Sequence, residues 1–292
     1  MKSRPRRPPS QQTIAIVGPG RVGQALGRLL TQAGFPVVFV VGRHPAAARR
    51  AVRFIGSGRP IGLNARELAE ASAILLTTAD AALARVGRDL AALHKDWSGK
   101  VVLHTCGSLP SSVLQPLRRR GAAVGSLHPF QTVPNPAAGV RNLVGCFWGI
   151  EGDAAARETA LRWVEALGGV PFRVRPEQKT LYHAAAFLVC PTVVTLMEHS
   201  VRLLQQAGIP GRIASPMLGR FVAETARNFV ELGARRALTG PAVRGDWTTI
   251  RRHLAALRRS SPDIVPAYKA LVQAMLRRAR RRPPRALQRI LR

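Results

Sequence analysis

The segment Gly18-Pro19-Gly20-Arg21-Val22-Gly23 constrains this chain more than any other, because it stands between a short β-branched run, Thr13 to Val17, and a helical stretch, Gln24 to Ala33. The helical stretch stops at Gly34, so the local order is strand, tight turn, helix. Each glycine then has a task. Gly18 permits the turn, Gly20 lets a pyrophosphate approach the backbone, and Gly23 lets the helix pack closely on the strand. The helix N-terminus adds amide donors and the positive end of its dipole. A glycine-rich turn alone is a weak signal, and its weight here comes from the pattern of the next 140 or so residues.

That pattern is a sustained alternation. Pro36 to Val41 is almost wholly apolar, as in a parallel strand buried on both faces. Helical patterning over Ala46–Phe54, Ala81–Leu93 and Ser111–Arg119 alternates with strand-like runs at Pro60–Leu63, Ala73–Thr77, Lys100–His104 and Ala122–Leu127. Ala65–Ala71 supplies a helical turn or two, and Gly145–Ile150 and Pro171–Val174 are strands flanking a helix over Ala154–Leu167. The expectation is an α/β domain over residues 13–175 with a doubly wound, parallel, Rossmann-type sheet.

Cofactor choice in such a fold is read at the end of the second strand, where an acidic side chain takes the ribose 2′-hydroxyl of NAD. This chain has Gly42-Arg43-His44 there and no carboxylate. Arg43 suits a 2′-phosphate through a charge-assisted contact, with Arg49 or Arg50 beside it, so NADP(H) is expected over NAD(H). Ligands of open parallel sheets lie outside the carboxyl ends of the strands. Thr77, Thr78 and Asp80 follow the fourth strand, Thr105 and Ser108 the fifth, and His128 the sixth. His128 is a candidate to bond substrate or the nicotinamide amide, whereas Asp80 and Ser108 also suit ordinary helix caps.

After Arg175 the strand signals stop. Pro176–Gln206, Pro216–Arg235, Trp247–Arg258 and Pro262–Ala279 are helix-length, so an all-α domain is expected over residues 176–276. Asp246 and Ser261 stand where helix caps belong. Lys179 and His183 share one helix face with Phe187, Cys190 and Val194. A lysine on an apolar stripe either reaches out to solvent or has work to do, and a charge at a domain junction can polarise a carbonyl as hydride arrives.

The net charge of +30 raises the question of nucleic acid. The basic residues are spread over every helix instead of one face, and the dense clusters lie at the ends, over residues 1–12 and 277–292. They read as solvated tails, not as a nucleic-acid surface. Cys106, Cys146 and Cys190 match no metal spacing, so no metal site is expected and a reducing cytoplasm suits them. The apolar stretch Ala184–Met197 is interrupted by Pro191, and no membrane helix or export signal is expected.

The segments IAIVGPGRVGQAL, SLHPFQTV, FWGIEGD, KTLYHAAAFLVC and ALTGPAVRGD together give the chain a specific likeness. It resembles the Rossmann-like oxidoreductases with a C-terminal helical domain of uncharacterised function, in the superfamily of 6-phosphogluconate dehydrogenase, ketopantoate reductase and pyrroline-5-carboxylate reductase. The resemblance covers nearly everything between the tails. It implies that Lys179 is the catalytic acid or polarising group, that His183 is its neighbour in the site, and that Asn228, Thr239, Arg244 and Asp246 lie near a substrate cleft. It also implies a homodimer formed through the helical domain. Such proteins usually continue from KxLYHAAA into a small residue and an asparagine; Cys190-Pro191 stands there instead, removing an amide and inviting a kink. The expected activity is NADPH-dependent reduction of a 2-keto acid such as ketopantoate, or of a cyclic imine. A dinucleotide sensor without catalysis and a nucleic-acid-associated protein acting through its tails are the alternatives.

Overall fold

Successive side chains of β1 (Ile14–Val17) point to opposite faces, and both faces are covered: Ile14 and Ile16 join one apolar cluster, Ala15 and Val17 another. That is why the strand is apolar at every position. The computed structural model describes residues 12–291. After β1 come α1 (Arg21–Gln32), β2 (Val37–Val41), α2 (Pro45–Ile55), β3 (Arg59–Ile61), β4 (Ala73–Leu76), α3 (Asp80–Leu93) and β5 (Val101–His104). Then follow α4 (Gln115–Arg118), β6 (Ala123–Pro129), α5 (Pro136–Asn142), β7 (Phe147–Gly152), α6 (Ala154–Ala166) and β8 (Val170–Arg173). The sheet order is β3-β2-β1-β4-β5-β6-β7-β8, which reverses direction between β1 and β4. Leu26 and Leu30 of α1, Ile55 of α2 and Trp163 of α6 cover one face; Leu83 and Leu90 of α3 and Leu117 of α4 cover the other. Each such side chain contributes roughly 1.5–3 kcal/mol when fully buried.

Two departures from expectation concern the sheet. β7 pairs antiparallel to β6, with Ser126 opposite Glu151 and His128 opposite Gly149, so the sheet is mostly and not wholly parallel. The helix between them, α5, lies against α1, where a Cβ on Gly139 would stand 2.7 Å from that of Ala25, and does not carry the chain back across the sheet. α5 itself was not expected, although Asn135 caps it by accepting from the Ala138 amide at 2.8 Å and Pro136 opens it.

The long helix α7 (Lys179–Gln206) follows a single 3-10 turn at Pro176–Gln178 and runs through Pro191 without interruption. The described chain divides into two units between Leu188 and Val189, inside α7, and not at the expected boundary after Arg175. The second unit holds the rest of α7, α8 (Gly211–Ala237), α9 (Pro241–Arg244), α10 (Trp247–Ser260), α11 (Val265–Arg278) and α12 (Arg285–Leu291). Gly233 interrupts α8 with φ of 72°. The core of this unit is formed by Ala242, Ile250, Leu254, Val272 and Leu276, closed by Leu287 and Leu291. The expected basic tail from residue 277 is thus corrected: Leu287, Ile290 and Leu291 recur at helical spacing, and burying them seats α12 while Arg285 and Arg289 stay exposed. The expected tail at residues 1–12 lies outside the described residues apart from Gln12, whose amide oxygen accepts from Trp163 Nε1 of α6 at 3.2 Å.

Candidate functional site

The carboxyl edge of the sheet in the first unit gathers most of the expected residues. Gly18, with φ of +83°, hydrogen-bonds the Val41 carbonyl through its amide at 2.9 Å, which ties the glycine turn to the end of β2. A Cβ on Gly23 would lie 2.2 Å from Thr77 Oγ1, and one on Gly18 would lie 2.6 Å from Thr78 Cγ2, so these two glycines are required by packing. Gly20 is different. A Cβ there would meet nothing nearer than the Gly18 carbonyl at 4.0 Å, so the protein itself leaves that face open. Gly20 also precedes α1 with no side-chain cap, and no acidic residue occupies the helix's first turn. An uncapped helix N-terminus beside an open glycine fits a pyrophosphate. Pro19, Arg21 and Val22 complete the turn, Val22 partly buried against the core and Arg21 exposed. Arg43 and His44 are exposed just past β2, and no acid pairs with Arg43 among the described residues. Thr77 holds the turn by donating from Oγ1 to the Gly18 carbonyl at 2.6 Å, and Thr78 Oγ1 is buried without a hydrogen-bond partner.

Beyond β5 the loop Thr105-Cys106-Gly107-Ser108 is held at several points. Thr105 donates its amide to the Leu76 carbonyl at 3.1 Å, and Cys106 donates its amide to His104 Nδ1 at 3.2 Å. Ser108 Oγ donates to Asp80 at 3.3 Å and stands 3.3 Å from Cys106 Sγ. Burial pushes the Cys106 thiol above its usual range.

Three buried polar residues lie side by side across β5, β6 and β7: His104 is in register with Ser126, and Ser126 with Glu151. None of the three was anticipated. Glu151 accepts from the Ser111 amide at 2.7 Å and from Ser111 Oγ at 2.8 Å. His104 leaves Nε2 unpartnered and is held neutral by burial, its pKa lowered to about 3.

Lys179 lies against this row. It is 1% exposed, donates to the Cys106 carbonyl at 2.8 Å and to Ser126 Oγ, and burial lowers its pKa to about 8, Glu151 opposing that shift. The ammonium neither reaches out to solvent nor stands open to a substrate. One turn on, Tyr182 and His183 share its helix face. Tyr182 Oη and His128 Nδ1 are 2.7 Å apart, and burial pushes the tyrosine hydroxyl upward. Burial, then the charges of Lys179 and His183, lower the His128 pKa to about 4, so the ring is neutral near pH 7. His128 and His183 meet edge to face with ring centroids 6.0 Å apart, and a Cβ on Gly107 would fall 2.7 Å from an atom of each. Tyr182 was missed, yet its spacing from Lys179 on the helix was a usable signal.

The remaining candidates belong to the second unit. Asn228 is half-buried on α8, Thr239 and Arg244 are exposed around α9, and Asp246 is engaged as the cap of α10. Its carboxylate accepts from the Thr249 amide at 3.0 Å and from Thr249 Oγ1 at 2.7 Å, and these bonds hold it below the usual carboxylate range. No group of three or more potential metal ligands occurs among the described residues.

Residues 3–129 match the Rossmann-like domain, and residues 146–275 match the family described as a domain of unknown function, DUF2520. Among curated proteins none matches in sequence. Among solved structures, a Bacteroides fragilis protein assigned as an NADP oxidoreductase superposes with a TM-score of 0.73 at 23% identity, over 90% of this chain and 97% of its own. Pyrroline-5-carboxylate reductase from Coxiella burnetii superposes with a TM-score of 0.61 at 15% identity, over 93% and 98% of the two chains. A reductive aminase from Aspergillus terreus, in complex with NADPH and ethyl-5-oxohexanoate, gives 0.64 at 18% identity over 92% and 94%. At such identities the likeness establishes the fold. The chain therefore joins a Rossmann-like domain to a DUF2520 helical domain.

Proposed function

We propose that the protein is an NADP(H)-dependent oxidoreductase that reduces a small carbonyl, such as a 2-keto acid of the ketopantoate class, or a cyclic imine. One observation carries this reading: the open Gly20 face, the unpaired Arg43 and the Gly107–His128–His183 cluster all lie along the carboxyl edge of one sheet. Proteins of similar fold include enzymes whose names specify NADP and reductive chemistry, which supports the same reading.

In this reading the Gly18–Gly23 turn and the N-terminus of α1 bind the pyrophosphate, and Arg43 with His44 meets the 2′-phosphate. Thr77, Thr78, Asp80, Thr105 and Ser108 line the approach to the nicotinamide end. NADPH, when bound, supplies the hydride. His128 handles the proton: with Tyr182 donating to Nδ1, the neutral ring carries its proton at Nε2, beside Gly107 and His183, and gives it to a developing alkoxide or amine as it takes the Tyr182 proton at Nδ1, so that the ring stays neutral and water reprotonates the tyrosine. The three free thiols suit a cytoplasmic setting. The exposed apolar residues of α7 and α8 suit a homodimer. No reading through nucleic acid is needed.

The test is ligand-dependent stability followed by turnover. A ligand that binds only the folded chain at about 100 times its Kd adds about 2.7 kcal/mol. NADPH is expected to raise the melting temperature by several degrees and NADH by much less, and a panel of 2-keto acids and cyclic imines is expected to include one that oxidises NADPH. NADPH binding without turnover of any member assigns a sensor role instead, and no shift with either cofactor removes the proposal.

A further inference from the structure

Among the main-chain amides of the loop after β5, Thr105 donates to Leu76, Cys106 to His104 Nδ1, and Leu109 to Cys106 Sγ at 3.3 Å. The amide of Gly107 bonds nothing among the described residues, although Gly107 is buried. Buried amides without partners are rare in folded proteins, and one in a loop at a ligand-binding edge is poised for an acceptor that arrives from outside. The other end of the same peptide unit is occupied: the Cys106 carbonyl accepts from Lys179 at 2.8 Å and from Ser126 Oγ at 3.4 Å. The peptide is trans, so the carbonyl and the N–H point in opposite directions and the free N–H points away from Lys179.

Resting on the proposed reductase reading, we propose that Lys179 is a positioning residue that works through the Cys106–Gly107 peptide. Its ammonium pulls electron density onto the Cys106 oxygen, and the Gly107 N–H becomes a stronger donor to a carbonyl-class oxygen. That oxygen belongs either to the nicotinamide carboxamide or to the substrate. The physical basis is twofold: hydrogen bonds to an ionised donor are the stronger kind, and bonds joined through one peptide polarise each other. Glycine is required because any Cβ at 107 would collide with His128 and His183, which wall the same space. The lysine thus delivers its charge to the site without leaving the interior.

The groups facing Lys179 are Ser126, the Cys106 carbonyl and thiol, Glu151, Asp80, His104 and His128. Burial lowers the lysine to about 8, while the two histidines are held far below that and the Cys106 thiol is pushed above its usual range. A titration centred near pH 8 therefore reports Lys179.

Cys106-Gly107 is the only Cys-Gly pair in the sequence, so labelling cysteine carbonyl carbon with 13C and glycine nitrogen with 15N isolates a single amide resonance. In the full-length protein this resonance is expected to move with pH about a midpoint near 8 and to lose that movement in Lys179→Met. If Lys179→Met does not fold, the pH response of the parent, compared with Ser126→Ala, carries the test. A resonance that is flat between pH 6.5 and 9.5 in the parent overturns the lysine–peptide coupling. Movement on adding NADPH assigns the acceptor to the carboxamide, and movement only when a keto acid or imine joins the NADPH complex assigns it to the substrate. A resonance unmoved by both, while tryptophan fluorescence shows NADPH bound, overturns the docking of the amide. If fluorescence shows that NADPH does not bind, the oxidoreductase reading fails, and the pH response still decides the coupling.

Discussion

Arg43 and His128 show how single residues in this fold are set to different work by exposure. Arg43 is exposed, pairs with no acid among the described residues and sits one residue beyond Gly42, which follows β2. Arg43→Ala is expected to weaken NADPH binding by about 1–3 kcal/mol, the range for a charged hydrogen bond and its loss, and to leave NADH nearly unchanged; isothermal titration with both cofactors measures this, and equal losses would sink the 2′-phosphate role. His128 is half-buried, and there the consequence is pH-dependent stability. Its ordinary pKa of 6.5 falls to about 4 in the fold, and that of His104 falls to about 3. Between those values the unfolded chain binds more protons than the folded one, so stability falls as pH drops from 6.5 towards 4 and is fully present above 6.5. His128 alone accounts for roughly 3 kcal/mol of that loss. Urea midpoints of the parent at pH 7 and pH 4.5 are expected to differ by more than those of His128→Asn, and identical differences would show that the ring titrates normally.

At the scale of elements, the turn between β1 and α1 separates glycines that the fold needs from one that a ligand needs. Gly23→Ala drives a Cβ to 2.2 Å from Thr77 Oγ1 and 3.1 Å from the Gly18 carbonyl, and is expected to cost about 1–3 kcal/mol of stability, the range for overpacking. Gly20→Ala meets open space and is expected to leave the melting temperature within a degree or two while weakening NADPH at least tenfold, as differential scanning fluorimetry and titration would show together. A Gly20→Ala protein that binds NADPH normally would remove the pyrophosphate from this turn. The same elements show what was legible beforehand. β1, β2 and β4 announced themselves because strands buried on both faces are apolar at every position, β5 because all but its last residue are apolar, and α1 because it opens and closes on glycines. The direction of β7 was not legible, since an apolar run carries no sign of its orientation and the deciding fact is where α5 packs. Asn135 and Pro136 were a usable signal for α5, a cap followed by a first-turn proline, although no helix was expected there. In the site, Gly18, Gly20, Gly23 and Arg43 were visible as motif positions. His104, Ser126 and Glu151 were not, because a row across three strands depends on register, which spacing along the chain does not encode. Lys179 was found by its place on an apolar helix face, but the sequence could not say that its ammonium would be held by a carbonyl.

For the molecule as a whole, the outstanding feature is apolar surface left in the open. Val230 is 82% exposed and Phe221 69% exposed on α8, and Leu188, Val189 and Val194 stand exposed on α7. Within the second unit a groove of about 860 Å³ between the two helices is lined by Leu203, Leu204, Met217 and Phe221. Exposed apolar surface on this scale marks a contact site. By length and composition alone Pro176–Gln206 would also cross a membrane, yet its first turn is built into the sheet edge through Lys179, Tyr182 and His183. A second copy of the chain is the expected cover, giving twice the chain's mass in sedimentation at micromolar concentration, and Phe221→Glu with Val230→Glu is expected to shift that mass towards the monomer. Salt decides the physical origin. Each copy carries a net charge of +30, so two copies repel, and an association held by apolar contact tightens as salt shortens the Debye length to about 10 Å at 0.1 M. Assembly bridged by nucleic acid through the arginines runs the other way and dissolves in salt. A monomer at micromolar concentration in both low and high salt would end the dimer proposal, and vesicle flotation of that monomer would turn α7 into a membrane-facing helix instead.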